Sequence, residues 1–254
     1  MATYQLRPMS LGEILDGTLT LLRQRLGLFF GLSIICLGLP TALSFYVQFQ
    51  RGSADFSLVS LADLVLRTIG YLLLQGATVY VVSESYLGRD PQFGDALGFA
   101  LGKMGKIFAA GFASGIVTAL AFLLLVIPGI IVACGYSVAV PVVVLEELNA
   151  STDSLGRSWS LTKGFKGKAF LLGLVMVALF LVLIIGLGIL IGLATALFKP
   201  LIVPGMILVA VMMLLIYPFV TSVLTLFYYD LRVRKEAFDL ELLSQSMGAA
   251  PARA

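Results

Sequence analysis

Six stretches of this chain are apolar over lengths that cross a lipid bilayer, and this constrains the fold before any motif is read. A helix needs about 20 residues to traverse the hydrocarbon layer. The runs extend approximately from Leu26 to Phe49, Leu61 to Tyr86, Ile107 to Ile127, Ile130 to Leu145, Ala169 to Phe198 and Pro204 to Tyr229. The fourth is short and the fifth long, so tilt, kinks or interfacial ends are expected there. Apolar residues make up 59 % of the chain and charged residues 12 %, against roughly 45–50 % and about 25 % in soluble domains. The first run is too long for a signal-peptide core and follows an amphipathic segment, so it reads as a retained span. The expected fold is an all-α integral membrane protein, with six transmembrane helices in three hairpins. Residues 1–243 form one domain on this reading, and residues 244–254, small, polar and Pro-containing, a disordered tail.

Each hairpin is preceded by a basic segment with helical periodicity, expected to be an interfacial helix. The first opens Ser10-Leu11-Gly12-Glu13, a capping box, and its apolar face is Leu11, Ile14, Leu15 and Leu22. The second opens Asp90-Pro91, read as a cap followed by Pro at the first helical position. Phe93, Leu97, Leu101, Met104 and Phe108 form its stripe. The third begins near Ser151 or Thr152, with Leu155 and Trp159 on its apolar side. An amphipathic helix with cations beside its apolar stripe lies in the headgroup plane. Three such helices would make a collar around a six-helix core.

Sidedness follows from the distribution of Lys and Arg. One side receives Arg7, Arg23, Arg25, Arg89, Lys103, Lys106, Arg157, Lys163, Lys166, Lys168, Arg232, Arg234, Lys235 and Arg253. The other receives Arg51 and Lys199, with Arg67 inside the second span. The bias places both termini in the cytoplasm, and the expected location is a bacterial inner (plasma) membrane. Only the stretch from Arg51 to Ser60 offers much polar surface on the external side, which argues against a large receptor surface. Pro128-Gly129 joins spans three and four almost directly, so those helices should be antiparallel neighbours.

Several phrases carry a family likeness: Arg7-Pro8-Met9-Ser10-Leu11-Gly12-Glu13-Ile14-Leu15-Asp16-Gly17, Pro128-Gly129-Ile130, and Pro141-Val142-Val143-Val144-Leu145-Glu146. Arg157-Ser158-Trp159-Ser160-Leu161-Thr162-Lys163-Gly164 and Tyr228-Tyr229-Asp230-Leu231-Arg232-Val233-Arg234-Lys235-Glu236 complete the set. Together, over nearly the whole chain, they resemble the bacterial family named for the membrane portion of glycerophosphoryl diester phosphodiesterases. The resemblance implies architecture. In some members hydrolysis belongs to a separate soluble domain that uses His with metal-bound carboxylates, and this sequence contains no His. A phosphodiesterase activity is therefore not expected of this chain.

Other chemistry is sparse. Without His the chain lacks the usual general base and commonest metal ligand, and no nucleotide-binding fingerprint is present. Glu13 and Asp16 faintly resemble the start of the head-group transferase motif, but its downstream aspartates are missing, so a solvated, capped helix face is the preferred reading. Cys36 and Cys134 lie in spans and read as small packing residues. Glu146, Arg157, Arg232, Arg234 and Glu236 are expected to form a structural charge network, with Arg232/Glu236 and Lys235/Asp239 spaced to pair along one helix. Asp63 and Arg67, one turn apart near the external start of the second span, should pair or snorkel to the interface, with a gate or pathway as the lesser reading. Gly27/Gly31, Gly111/Gly115 and Gly188/Gly192 are spaced for close helix packing. Pro40 and Pro218 are candidate kinks.

The favoured function is that of a non-catalytic membrane protein, without cofactor or metal. It would bind lipids, or organise a membrane or cytoplasmic protein partner, through its basic collar. The contacting residues would be Arg23, Arg25, Lys103, Lys106, Arg157, Lys163, Lys166 and Lys168, with Trp159 as interfacial anchor. Nucleic acid is not an expected partner, because the 17 cations lie beside spans and face 14 acids. Self-association through the glycine pairs is left open. The alternative is a transporter of an apolar or amphiphilic molecule, which requires polar groups such as Gln75, Thr78, Ser83, Glu84, Tyr217, Thr221 and Ser222 to meet at bilayer depth. A carboxylate–metal lipid-processing enzyme is the third choice.

Overall fold

The computed structural model describes residues 7–51 and 58–237. The 244–254 tail, Arg253, the Lys235/Asp239 pair and most of the external stretch after Arg51 lie outside the described residues. Within them the chain is helical throughout, and six helical segments are long and apolar enough to cross a bilayer. The protein is a multi-pass membrane protein of all-α class.

Helix α1 (Leu11–Gln24) starts on the expected capping box: Ser10 Oγ accepts from Glu13 N at 3.2 Å, and Glu13 accepts from Ser10 N at 2.6 Å. These bonds and the adjacent Arg7 hold the Glu13 carboxyl well below the usual range, at about 2. Ile14, Thr18, Leu21 and Leu22 are its buried side. Arg25 separates α1 from α2 (Leu26–Arg51), and α3 (Leu58–Tyr86) returns beside α2. Helix α4 (Phe93–Leu124) packs on α3.

The second lead-in departs from expectation. It is not a separate interfacial helix but the first turns of α4. Asp90 is not its cap; Gln92 holds that position without a side-chain bond, while the Asp90 carboxylate pairs with Arg25. Length explains the fusion. Thirty-two residues make about 48 Å of helix, against roughly 30 Å of hydrocarbon, so the first turns emerge with Lys103 and Lys106 near the boundary. The inward stripe also differs. Ala96, Ala100, Ile107 and Ala110 are buried, whereas Leu101 and Phe108 face outward. Small residues let α3 approach closely at Gly76, and the large ones are left to lipid.

A single extended residue, Leu125, turns the chain into α5 (Val126–Gly135). The fourth span then breaks over residues 136–138 and resumes as α6 (Ala139–Leu145). Helix α7 (Asp153–Thr162) closes on that break. Ser158 Oγ donates to Gly135 O at 2.8 Å and Thr162 Oγ1 to the same oxygen at 3.2 Å. The third lead-in therefore buries its hydroxyl face, Ser154, Ser158 and Thr162 with Leu161, to satisfy a carbonyl freed inside the membrane. Trp159 is half-buried, its ring occupying the space a Cβ on Gly135 would need, with Lys166 Nζ 3.2 Å from the ring centroid.

Helix α8 (Lys166–Leu197) is apolar on all sides and buries only Ala169 and Leu172 near its start. A 3₁₀ turn (Lys199–Leu201) leads to α9 (Ile202–Glu236), which packs against α1, α2, α3, α6, α7 and α8. Pro40 and Pro218 sit inside the continuous helices α2 and α9. Of the four-residue glycine pairs only Gly31 has a neighbour, the Phe93 ring 3.4 Å from where its Cβ would stand. A Cβ on Gly111, Gly115, Gly188 or Gly192 would meet nothing within 4 Å, whereas one on Gly70 would lie 2.0 Å from Cys36 O. Cys36 and Cys134 are both free thiols.

Candidate functional site

The two halves of the bundle differ sharply. On the face that carries both ends of the described chain, the core is closed. Phe29, Leu32, Leu74, Phe227, Tyr228 and Leu231 are fully buried there. Two charge clusters sit on this layer. In the first, Arg157 donates from Nε to Glu146 Oε2 at 2.7 Å and from Nη2 to Glu146 Oε1 at 3.1 Å, a bidentate fork. Its Nη1 lies 2.5 Å from Glu236 Oε1, and Arg232 Nε lies 3.0 Å from Glu236 Oε2. Tyr228 donates its hydroxyl to Glu146 at 3.0 Å. The hydrogen bonds it donates to the Glu146 and Glu236 carboxylates raise the Arg157 pKa further, keeping it charged.

The second cluster is built on Asp230, which is 0 % exposed. Lys168 Nζ lies 2.5 Å from Oδ2, Arg234 Nε 2.9 Å from Oδ1, and Met9 N donates to Oδ1 at 2.7 Å. Lys168 and Arg234 also donate to Met9 O, at 2.6 and 2.9 Å. The start of the chain, the start of α8 and the end of α9 are thereby bound together. These clusters join segments far apart in sequence, among them the phrases that carry the family likeness.

The structure thus brings Glu146, Arg157, Arg232 and Glu236 into one chain of contacts and places Arg234 in the neighbouring one. Arg157 and Lys168, expected at lipid headgroups, are engaged within the protein, because they face the carboxylates that burial leaves in need of a cation. Arg25 pairs with Asp90. Lys103 stands over Phe99 and Lys166 over Trp159. Arg23, Lys106 and Lys163 are exposed.

The opposite half is open. A cavity of about 750 Å³ lies between α2, α3, α8 and α9. Its walls are Leu37, Pro40, Phe45, Ile191, Met206, Val209, Ala210, Met213 and Leu214, with Gly188 and Gly205. Its polar groups are Thr41, Ser44, Arg67, Thr68 and Tyr71 on α2 and α3 and Tyr217 on α9, the two tyrosine rings meeting edge-on at 5.3 Å. Volume and lining are those of small-molecule sites, which are mostly apolar with a few convergent polar groups. Every lining residue except Leu37 belongs to the half of its helix away from the chain ends, so the cavity stops near mid-depth.

Of the polar groups expected to meet at bilayer depth, only Tyr217 lines this cavity. Thr78, Ser83, Thr221 and Ser222 are buried in helix contacts instead. Ser83 shares a hydrogen bond with Tyr229 at 2.7 Å, and the hydroxyls of Thr78 and Ser222 have no partner among the described residues. Sequence reasoning missed the cavity, although Asp63, Arg67 and Pro40 all border it or its rim. Arg67, an arginine inside a span, was the available signal. Among the described residues no group of three Cys, Asp or Glu side chains is placed to hold a metal ion. No protein-family model, curated protein or solved structure matches this chain.

Proposed function

We propose that this protein binds an amphiphile drawn from the bilayer, holding its apolar part in the cavity between α2, α3, α8 and α9. The observation that carries the reading is the cavity itself: a mostly apolar chamber inside a membrane-type bundle, with an arginine and a few hydroxyls among its lining. A lipid matches that polarity as water or a soluble solute does not. Helix α8 buries no residue beyond its first turns, which leaves a lateral way in from the lipid. The charge bias places the closed face in the cytoplasm and the cavity in the outer half of the membrane. We read this bundle as like the membrane portion of the family it resembles, with binding rather than hydrolysis as its task; the lack of His in it supports this.

Ala210→Phe fills the chamber from α9. It should lower co-purifying lipid about tenfold, equivalent to roughly 1.4 kcal/mol of lost contact, with little change in the thermal midpoint. Mass spectrometry of lipid extracted per mole of gently purified protein makes the measurement. Undiminished lipid in a folded Ala210→Phe variant would refute the reading.

The collar supports a second, compatible role. Arg23, Lys106 and Lys163 are exposed on the closed face, where each cation near an anionic leaflet adds about 1 kcal/mol of attraction. They would orient the protein, or seat an acidic partner, without touching the cavity.

A further inference from the structure

We infer that the chamber selects a facially amphiphilic molecule: a rigid, flat ring system with hydroxyl groups along one side. This rests on the reading of the cavity as an amphiphile site and names the class of molecule that fits it best. The lining divides across the width of the chamber, not along its length, and that division carries the inference. Helices α3 and α9 run in the same direction, in a register fixed by two contacts with one sequence offset: Tyr71 meets Tyr217, and Ser83 bonds Tyr229. The same offset sets Arg67 level with Met213, and Thr68 with Leu214. Helix α2 is tied to α3 by the Ser44–Asp63 bond and by the contact of Gly70 with Cys36, which brings Thr41 and Ser44 to the same depths. The row Thr41, Ser44, Arg67, Thr68 and Tyr71 therefore faces Val209, Ala210, Met213 and Leu214 across the chamber. Helix α2 adds Leu37, Pro40 and Phe45 to the apolar share, and Tyr217, at the inner end, is the one polar lining residue from α8 and α9.

A head-to-tail lipid separates polar from apolar along its length. Laid in this chamber, its methylenes would run past Thr41, Arg67 and Thr68 and leave their bonding capacity unused, a cost for each polar group kept from water. Acyl chains of the bilayer still enter, but bind more weakly than a molecule that is polar along one side. The wall asks for hydroxyls in particular. Thr68 Oγ1 donates to Leu64 O at 2.8 Å, which leaves its lone pairs to accept. Arg67 engages only Nη2, with Ser44 and Asp63, so Nη1 remains to donate a single bond. The Thr41 hydroxyl has no hydrogen bond among the described residues and can do either. A hydroxyl both donates and accepts, and so answers every one of these groups. Asp63 offsets the charge of Arg67, so no ionic head group is required.

Shape selects rigid rings. A Cβ on Gly205 would lie 2.7 Å from Ile191 Cγ2, so the glycine lets α8 and α9 join into one continuous wall. Gly188 and Ala210 add little relief to it. From Gly205 to Tyr217 the chamber is about 18 Å long. Its volume of about 750 Å³ suits a small molecule. An amphipathic peptide helix of that length is excluded, because it fills roughly 1,400 Å³.

The test uses the full chain in phosphatidylcholine nanodiscs and a set of monocarboxylates at one low mole fraction. Deoxycholate carries its hydroxyls on one ring face, cholanate has the same rings without them, and stearate is linear. Mass spectrometry measures each as enrichment over protein-free nanodiscs. The wild type should enrich deoxycholate about tenfold over either competitor, the size of one or two net hydrogen bonds. Thr41→Val combined with Thr68→Val should erase the preference for deoxycholate over cholanate and leave cholanate unchanged. Ala210→Phe should remove the enrichment of all three. Equal enrichment of deoxycholate and cholanate by the wild type overturns the proposal without recourse to any variant. An undiminished preference in the folded double valine variant overturns it as well. Should Ala210→Phe abolish enrichment while the wild type prefers none of the probes, the cavity reading stands and this inference falls. If Ala210→Phe releases nothing, both fall.

Discussion

Asp230→Ala should lower the stability of the protein by about 3–5 kcal/mol, the range for removing one partner of a buried ion pair. The carboxylate is fully buried and receives Lys168, Arg234 and the Met9 N–H together. Removing it leaves two cations partly desolvated with only Met9 O to share, and frees the backbone donor that seats the start of the chain. The expected result is a large fall in the thermal midpoint of the detergent-solubilised protein. Asp230→Asn should fall between the two, since the amide oxygen still accepts one bond. Lys168→Met in the Asp230→Ala background should restore part of the loss, because the penalty lies chiefly in uncompensated charge. Unaltered melting of Asp230→Ala would mean that the cluster does not tie α1, α8 and α9 together.

Gly70→Ala should be nearly as damaging, through shape instead of charge. The added Cβ would lie 2.0 Å from Cys36 O and 3.0 Å from Cys36 C, both backbone atoms of α2. No rotamer change relieves that contact, so α2 and α3 must separate. Overpacking of this kind costs typically 1–3 kcal/mol, occasionally more, and the upper end is expected because backbone must move. The crossing also sits beside Leu37, Thr68 and Tyr71 of the cavity wall. Gly70→Ala should therefore lower the thermal midpoint and the bound lipid together. Gly111→Ala, where a Cβ meets nothing, is the control and should leave both unchanged.

The contrast between these glycines shows what the sequence disclosed and what it hid. Span number, the Ser10/Glu13 cap and the Asp63–Arg67 neighbourhood are local properties of length, polarity and spacing, and all are legible along the chain. Which side of a membrane helix faces its neighbours is not. In lipid the outward face is as apolar as the inward one, so Leu101 and Phe108 resemble a core stripe although Ala96 and Ala100 make the contact. The break at residues 136–138 is announced only by Pro141, which cannot donate to Ser137 O; that Trp159, Ser158 and Thr162 from a later segment fill and satisfy it is not legible locally. The Arg157–Glu146–Glu236 network is expected from the sequence, but Lys168 reads there as a headgroup cation, because its carboxylate, Asp230, lies two spans away near the end of α9. The cavity is the least legible feature, since four helices enclose it and no single one encodes it.

A phospholipid bearing a photoreactive group near the end of one acyl chain tests the central claim most directly. Reconstituted with the wild type, irradiated and mapped by peptide mass spectrometry, the chain should label α2 near Leu37 and Pro40, and α9 near Met206, Ala210 and Met213. Ala210→Phe should remove those adducts and no others. Labelling confined to the outward faces of α4 and α8, with nothing on the cavity walls, would contradict a lipid site within this bundle.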